Sequence, residues 1–271
     1  MKAKYIILLF SLTLCKLTFT QEALAQEEQE LTIPLTNPGK SGSLKLHQVS
    51  GSINVTGYNG KEVLIKAKTE QEDKEISKDN NGMFRIPNNS YNMSVVEKDN
   101  EVEVSSNSVH KPVNFDIMVP IDFSLNIHTV NNGDIVIKNI NGEIEANNVN
   151  GAVFLSEISG SVVASSINGK IEVGFNKITP DVPMAFSSLN GKIEVTFPSN
   201  VKATAKIRSD RGEVYSDFEM NILPIKPKVE KKEGGSYKKY SIDNWVFGEI
   251  NGGGPEFLFK NMNGNIYIKK K

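Results

Sequence analysis

Residues 132–169 read NGDIVIKNINGEIEANNVNGAVFLSEISGSVVASSING, and glycine falls at 133, 142, 151, 160 and 169. The interval is nine residues each time. Apolar residues alternate between the glycines: Ile135 and Ile137, Ile144 and Ala146, Val153 and Leu155, Val162 and Ala164. A period of two with β-branched residues specifies short strands. The Asn-Gly and Ser-Gly pairs specify bends, expected to exploit the tolerance of these residues for positive φ. Asn-Gly between strands is also a strong hairpin signal, so an antiparallel meander competes. Parity separates the two arrangements. Ile135 and Ile137 share one face of an extended strand, whereas Ile140 lies an odd step further and would point to the other face. The same slip occurs at Val149, Ile158 and Ile167. A chain that bends every nine residues turns both sets inward, and parallel stacking of its coils builds a β-solenoid.

A coil with two packed walls needs about two such units. Ile135, Val153 and Ile171 then stack in one wall, and Ile144 and Val162 in the other. SSINGKIEVGF (165–175) returns as SSLNGKIEVTF (187–197), and SDRGEVYSDF (209–218) echoes it again. These echoes place Ile171, Ile193 and Val214 in one inward stack, and Phe175, Phe197 and Phe218 in one aromatic column. VKATAKI (201–207) supplies the opposite wall through Val201, Ala203, Ala205 and Ile207. Gly42, Gly51 and Gly60 extend the nine-residue interval towards the start. The expected fold is all-β, a single-domain β-solenoid with roughly 18–22 residues per coil. Two stretches break the repeat and read as loops, near 69–94 and 219–241. ELTIPLTNP (30–38) and Lys269-Lys270-Lys271 are candidate caps for the open ends.

The chain opens with Lys2 and Lys4, a ten-residue apolar run from Tyr5 to Leu14, and Ala23-Leu24-Ala25. That is the form of a secretory signal cleaved after Ala25, leaving the domain at 26–271. The competing lipoprotein signal would use Cys15, but Leu14 stands where a small residue is needed. Cys15 is the one cysteine, so the mature chain would hold neither disulfides nor thiolate metal sites. Without Lys2, Lys4, Lys16 and Glu22, 28 basic residues face 31 acidic ones, which argues against nucleic acid as a partner. No second hydrophobic run suggests a transmembrane segment in the mature chain. The expected location is the periplasm, the outer membrane surface or the exterior.

VPIDFSLNIHTVNNGDIVIKNINGEI (119–144), NGKIEVTFPSNVKATAKIRSDRGEVYSDF (190–218) and WVFGEINGGGPEFLFKNMNGNIYIKK (245–270) carry a resemblance. They resemble the putative-adhesin family of bacterial envelope proteins, whose function is not established. NGGGP followed by NGNI is the most specific part. The resemblance implies a β-solenoid and an exported address across roughly residues 40–271, and it implies no catalytic residue.

The chemistry the chain could carry is sparse. Calcium-binding nonapeptide rolls need a repeated acidic ligand after the glycine. Here Asp134, Glu143, Ala152, Ser161 and Lys170 occupy that place, so no calcium and no other cofactor is expected. Glu172 and Glu194 hold one repeat position, about 5 Å apart if the coils stack, a spacing compatible with a retaining glycosidase pair. Lys170 and Lys192 flank them, with Glu213 following Lys192 in the next coil, and a solvated charge ladder accounts for that pattern better. His47, His110 and His128 show no metal spacing. Val136 and Phe154 should face outward one coil apart, as a small binding patch or the seat of a loop. Trp245 is a sugar platform or part of the last coils' core. With Tyr215 and with Lys231 and Lys232 of the lysine-rich loop, these residues form the candidate interaction surface. The expected function is non-catalytic binding of an envelope glycan or protein. The alternatives are a polysaccharide-active enzyme and a purely structural envelope protein.

Overall fold

A computed structural model describes residues 28–69, 93–106, 108, 111–224, 228–231, 238–241 and 244–271. In chain order, β1 (Glu28–Pro34), β2 (Ser43–Gln48), β3 (Ile53–Tyr58) and β4 (Glu62–Thr69) precede β5 (Met93–Lys98) and β6 (Glu101–Ser106). The next strands are β7 (Val113–Pro120), β8 (Ser124–Thr129), β9 (Ile135–Lys138), β10 (Ile144–Asn148) and β11 (Val153–Ile158). They continue as β12 (Val162–Ser166), β13 (Ile171–Phe175), β14 (Met184–Asn190), β15 (Ile193–Phe197) and β16 (Ala203–Ser209). The chain finishes with β17 (Val214–Ser216), β18 (Met220–Leu223), β19 (Lys228–Lys231), β20 (Lys238–Ser241), β21 (Val246–Ile250), β22 (Glu256–Asn263) and β23 (Ile266–Lys270).

The fold is the all-β solenoid that the repeat predicts. One sheet runs β1-β4-β7-β3-β9-β11-β13-β15-β23-β17 and the other β18-β21-β16-β22-β14-β12-β10-β8-β2-β6-β5. Consecutive half-coils alternate between the sheets and pair in parallel with the coils above and below. Ile135, Val153, Ile171 and Ile193 align in the first sheet. Leu125, Ile144 and Val162 align in the second. All seven are buried in one continuous core. Val201, Ala203, Ala205 and Ile207 are buried as expected.

The coil order departs from chain order at both ends. β23 lies between β15 and β17, and β22 between β14 and β16. Near the start, β2 and β3 slot inside β6 and β7. Ile266 therefore separates Ile193 from Val214, which is 42% exposed on the edge strand β17 instead of sitting deep in the stack. The aromatic column is rebuilt accordingly. Phe175 stacks on Phe197 at 5.2 Å, but Phe257 joins them at 5.3 Å from Phe197. Phe218 is buried separately, with the Lys270 ammonium 5.9 Å from its ring. The three-lysine tail is likewise no end cap, because Lys269 and Lys270 belong to the inserted β23.

The ends of the ladder are mostly closed by antiparallel strands: β4 and β1 on β7, β5 on β6, β21 and β18 on β16. ELTIPLTNP does cap the first end. β1 forms the sheet edge, and the backbone and hydroxyl of Thr36 then donate to Glu97 at 2.9 and 3.0 Å. Asn37 exchanges two hydrogen bonds of 2.8 Å with the Asn100 side chain. The stretch 219–241, read as a loop, contains β18 and the antiparallel pair β19–β20.

The two kinds of corner differ. The chain bends just after β9 at Asn139 (φ 57°) and near the end of β11 at Glu157 (φ 59°), which reverses parity and buries Ile140 and Ile158 as expected. After β10 and β12 the strand runs straight for one more residue. Asn148 and Ser166 take the inward position, so Val149 is only half-buried and Ile167 is 43% exposed. The inward polar residues bond the carbonyls of the glycine column: Asn148 to Gly133 (3.0 Å), Ser166 to Gly151 (2.9 Å), Ser188 to Gly169 (3.0 Å) and Asn261 to Gly191 (2.7 Å). Outside them Asn131 and the asparagines of four Asn-Gly pairs hydrogen-bond in a chain. Asn150 donates to Asn131, Asn168 to Asn150, Asn190 to Asn168 and Asn263 to Asn190, each at 2.7 Å.

The repeat glycines serve a different purpose from the one expected. Among the described residues the positive-φ glycines are Gly39, Gly51, Gly252 and Gly253, so of the aligned glycines just Gly51 uses the left-handed region. The remainder are needed for close approach. A Cβ on Gly151 would strike the carbonyl oxygen of Gly133, one on Gly169 that of Gly151, and one on Gly191 that of Gly169. Gly169→Ala should therefore destabilise the protein by at least about 2 kcal/mol in chemical unfolding, through overpacking against backbone that cannot yield. Gly174→Ala, whose Cβ would meet nothing closer than 3.9 Å, should change stability by less than about 1 kcal/mol.

Candidate functional site

Burying Ile135, Val153, Ile171 and Ile193 forces their neighbours outward. Parallel register then aligns Val136, Phe154, Glu172, Glu194, Tyr267 and Tyr215 across six adjacent strands. At about 4.8 Å per strand the row is about 24 Å long. Four of the positions taken from sequence thus meet a fifth, Tyr215, in one line. Tyr267, which joins them, was missed. Its signal is the match of NGNIYI to NGKIEV, which gives Tyr267 the place of Glu194.

Charge is laid along this row in pairs. The Lys170 ammonium sits 4.5 Å from the Phe154 ring centroid and 3.2 Å from the Glu172 carboxylate. Glu194 receives Lys192 at 2.7 Å and Lys269 at 2.5 Å, and its side chain is 17% exposed. The ladder expected from the Lys-x-Glu repeats is present at Glu172 and Glu194. It does not continue to Glu213, because the inserted β23 supplies Lys269 instead. Glu213 accepts the Tyr215 hydroxyl. That bond, and then the carboxylate's charge, raise the phenol above its ordinary pKa. Tyr215 and Tyr267 stack at 5.2 Å and 11°.

The other candidates lie elsewhere. Trp245 is on the outer face of the second sheet, with Lys206 Nζ 5.3 Å and Arg208 Cζ 5.8 Å from its ring. It is not packed inside the last coils: Gly248 and Ile250 are the buried residues of β21, and even Val246 beside Trp245 is exposed. Lys231 ends β19, and Lys232 and His110 fall outside the described residues. His47 and His128 are neighbours in register, with ring centroids 5.8 Å apart. Burial, and then the charge of His47, lower the pKa of His128. The shared pattern Leu44-Lys45-Leu46-His47 and Leu125-Asn126-Ile127-His128 could have shown this pairing. Among the described residues, no three of His, Cys, Asp and Glu are grouped to hold a metal.

Glu194 is poorly tuned to be the acid of a glycosidase pair. A glycosidase acid must hold its proton near neutrality. The hydrogen bond from Lys192, then that from Lys269, push the Glu194 carboxyl below its ordinary range. A depressed carboxylate stabilises the fold above the unfolded pKa of about 4.3 and loses that contribution as pH falls through its folded value. Glu194→Gln should therefore cost about 0.5–1 kcal/mol at pH 7, and thermal melts of the two proteins should converge as the pH falls through the folded-state titration of this carboxyl.

No family model matches the chain, and no curated protein matches it. A solved structure described as a putative cell adhesion protein from Clostridium sporogenes aligns with a TM-score of 0.50 at 15% identity, covering 91% of this chain and 100% of that one. A putative adhesin from Bacteroides fragilis aligns over 91% and 98% at 12% identity, with a TM-score of 0.33. The first likeness is one of fold, and at its TM-score the second carries no argument.

Proposed function

We propose that the protein is an exported cell-envelope adhesion or interaction module that binds an envelope glycan or protein through its solenoid faces. The observation that carries this reading is the row Val136–Phe154–Glu172–Glu194–Tyr267–Tyr215. It is a flat surface about 24 Å long that combines an aromatic ring under an ammonium, a doubly paired carboxylate and two stacked tyrosines. Such a surface is shaped by coil stacking alone and needs no moving part. The adhesion label of the Clostridium sporogenes protein, whose fold this chain shares, agrees with the reading. So does the signal-like leader at 1–25, which lies outside the described residues. Among the described residues no helix is long and apolar enough to cross a membrane. The polysaccharide-hydrolase reading is weaker because lysines already engage both carboxylates, Lys170 on Glu172 and Lys192 and Lys269 on Glu194.

Residues 26–271, immobilised and challenged with envelope fractions and a glycan array, should show saturable binding. Phe154→Ser and Tyr215→Ala should each weaken it at least about five-fold, about 1 kcal/mol, while leaving the melting temperature within a few degrees. Absence of binding to every envelope glycan, peptidoglycan and envelope protein sinks the proposal. So does release of reducing sugar that disappears in Glu194→Gln.

A further inference from the structure

The straight corner after β10 and β12 leaves a second surface, on the other sheet. Because Ser166, Ser188 and Asn261 align and point inward, the residues after them align and point outward. Ile167, Leu189 and Met262 form that outward line, at 43%, 40% and 39% exposure. The residues before them form a parallel ridge in register: Ser165, Ser187, Lys260 and Arg208. Between the two ridges runs a shallow groove perpendicular to the strands. One wall is aliphatic and the other begins with hydroxyls and ends with two cations.

The charges at the cationic end are unequal. Arg208 Nε bonds Asp210 at 2.8 Å, leaving its other donors, and Trp245 lies beside it. Lys206 is engaged by Glu256 at 3.2 Å. Lys260 has no ion pair among the described residues, and Ser187 no side-chain hydrogen bond. Lys260, Arg208 and Asp210 leave one net positive charge on a chain whose formal net charge is −1.

We infer that this groove binds a linear anionic polysaccharide, with its sugar rings along the Ile167–Leu189–Met262 wall and a carboxylate or sulfate at Lys260 and Arg208. The choice of ligand follows from the walls. A peptide strand would seek free backbone donors and acceptors, and these interior strands have both edges paired. An acyl chain needs apolar surface on both sides, and here the facing ridge is Ser165 and Ser187. A sugar ring has a C–H face for the aliphatic wall and a hydroxyl rim for the serines, Ser187 as donor or acceptor and Ser165, whose hydroxyl donates to Asn147 at 2.5 Å, as acceptor. The groove repeats one apolar and one polar residue per coil, about 4.8 Å, so it suits a polymer. The cations then discriminate acidic from neutral chains.

The test is calorimetric titration of residues 26–271 with oligogalacturonate, which carries carboxylates, with chondroitin sulfate, which adds sulfates, and with neutral dextran. Saturable binding of at least one acidic chain is expected, and dextran should not bind. Lys260→Glu and Leu189→Ser, both on the outer surface, should weaken binding at least ten-fold with unchanged melting curves. Phe154→Ser, on the opposite sheet, should leave it unchanged, which separates this site from the row described above. Preference for one acidic chain identifies the anion. Equal binding of dextran, undiminished binding by Lys260→Glu, or no binding of either acidic chain overturns the inference.

Discussion

The structure depends on how closely one coil's backbone can approach the next at a corner. Gly51, Gly133, Gly151, Gly169, Gly191, Gly264 and Gly212 follow the strand order of the first sheet, and for each after the first an added Cβ would collide with backbone of its neighbour in the column. Removing the side chain lets strands on both sides keep their ladder spacing through the turn. It also exposes glycine carbonyls, which Asn148, Ser166, Ser188 and Asn261 of the next coils bond from inside. Each such bond contributes about 1 kcal/mol and keeps a buried carbonyl from being orphaned. The asparagine chain outside completes a corner held together at three depths.

This corner fixes what the outer surfaces look like. With the coils locked in register, any outward residue that repeats becomes a row, whatever its sequence separation. The row containing Glu194 and Tyr267 joins residues far apart in the chain solely because β23 inserts beside β15. The groove on the second sheet has the same origin. A polar residue taken inward at each straight corner leaves an aliphatic residue outside. Binding surfaces of this kind need no special loops, since the scaffold generates them.

The nine-residue clock and the parity of Ile140 made the solenoid, its two walls and the outward positions of Val136, Phe154, Glu172 and Glu194 legible in the sequence. The role of the glycines was harder to read. Asn-Gly is equally consistent with a positive φ and with close packing, and local sequence does not distinguish them. Coil order was hidden as well. The three echoes at 171, 193 and 214 suggest consecutive stacking, but pairing strength between repeats of nearly equal sequence says little about which repeat is adjacent. The insertion of β23 moved Tyr267 into the row and Val214 to the edge. The exposure of Ile167 is not legible because the repeat makes every bend look alike, whereas Asn148 and Ser166 delay the turn by one residue. The pairing of His47 with His128 was carried by a signal that lies outside the nine-residue clock, the shared pattern of β2 and β8.

The most direct test of this account is coil order. In residues 26–271, which contain no cysteine, one variant carries Glu194→Cys with Tyr267→Cys and another carries Glu194→Cys with Tyr215→Cys. Mild oxidation followed by mass spectrometry reads which pair closes. Adjacent parallel strands fall within the Cα separation a disulfide spans, and strands two apart do not. The account predicts rapid closure of the 194–267 pair and none of the 194–215 pair. The reverse result would mean that the coils stack in chain order, and the surfaces described here would not exist as drawn.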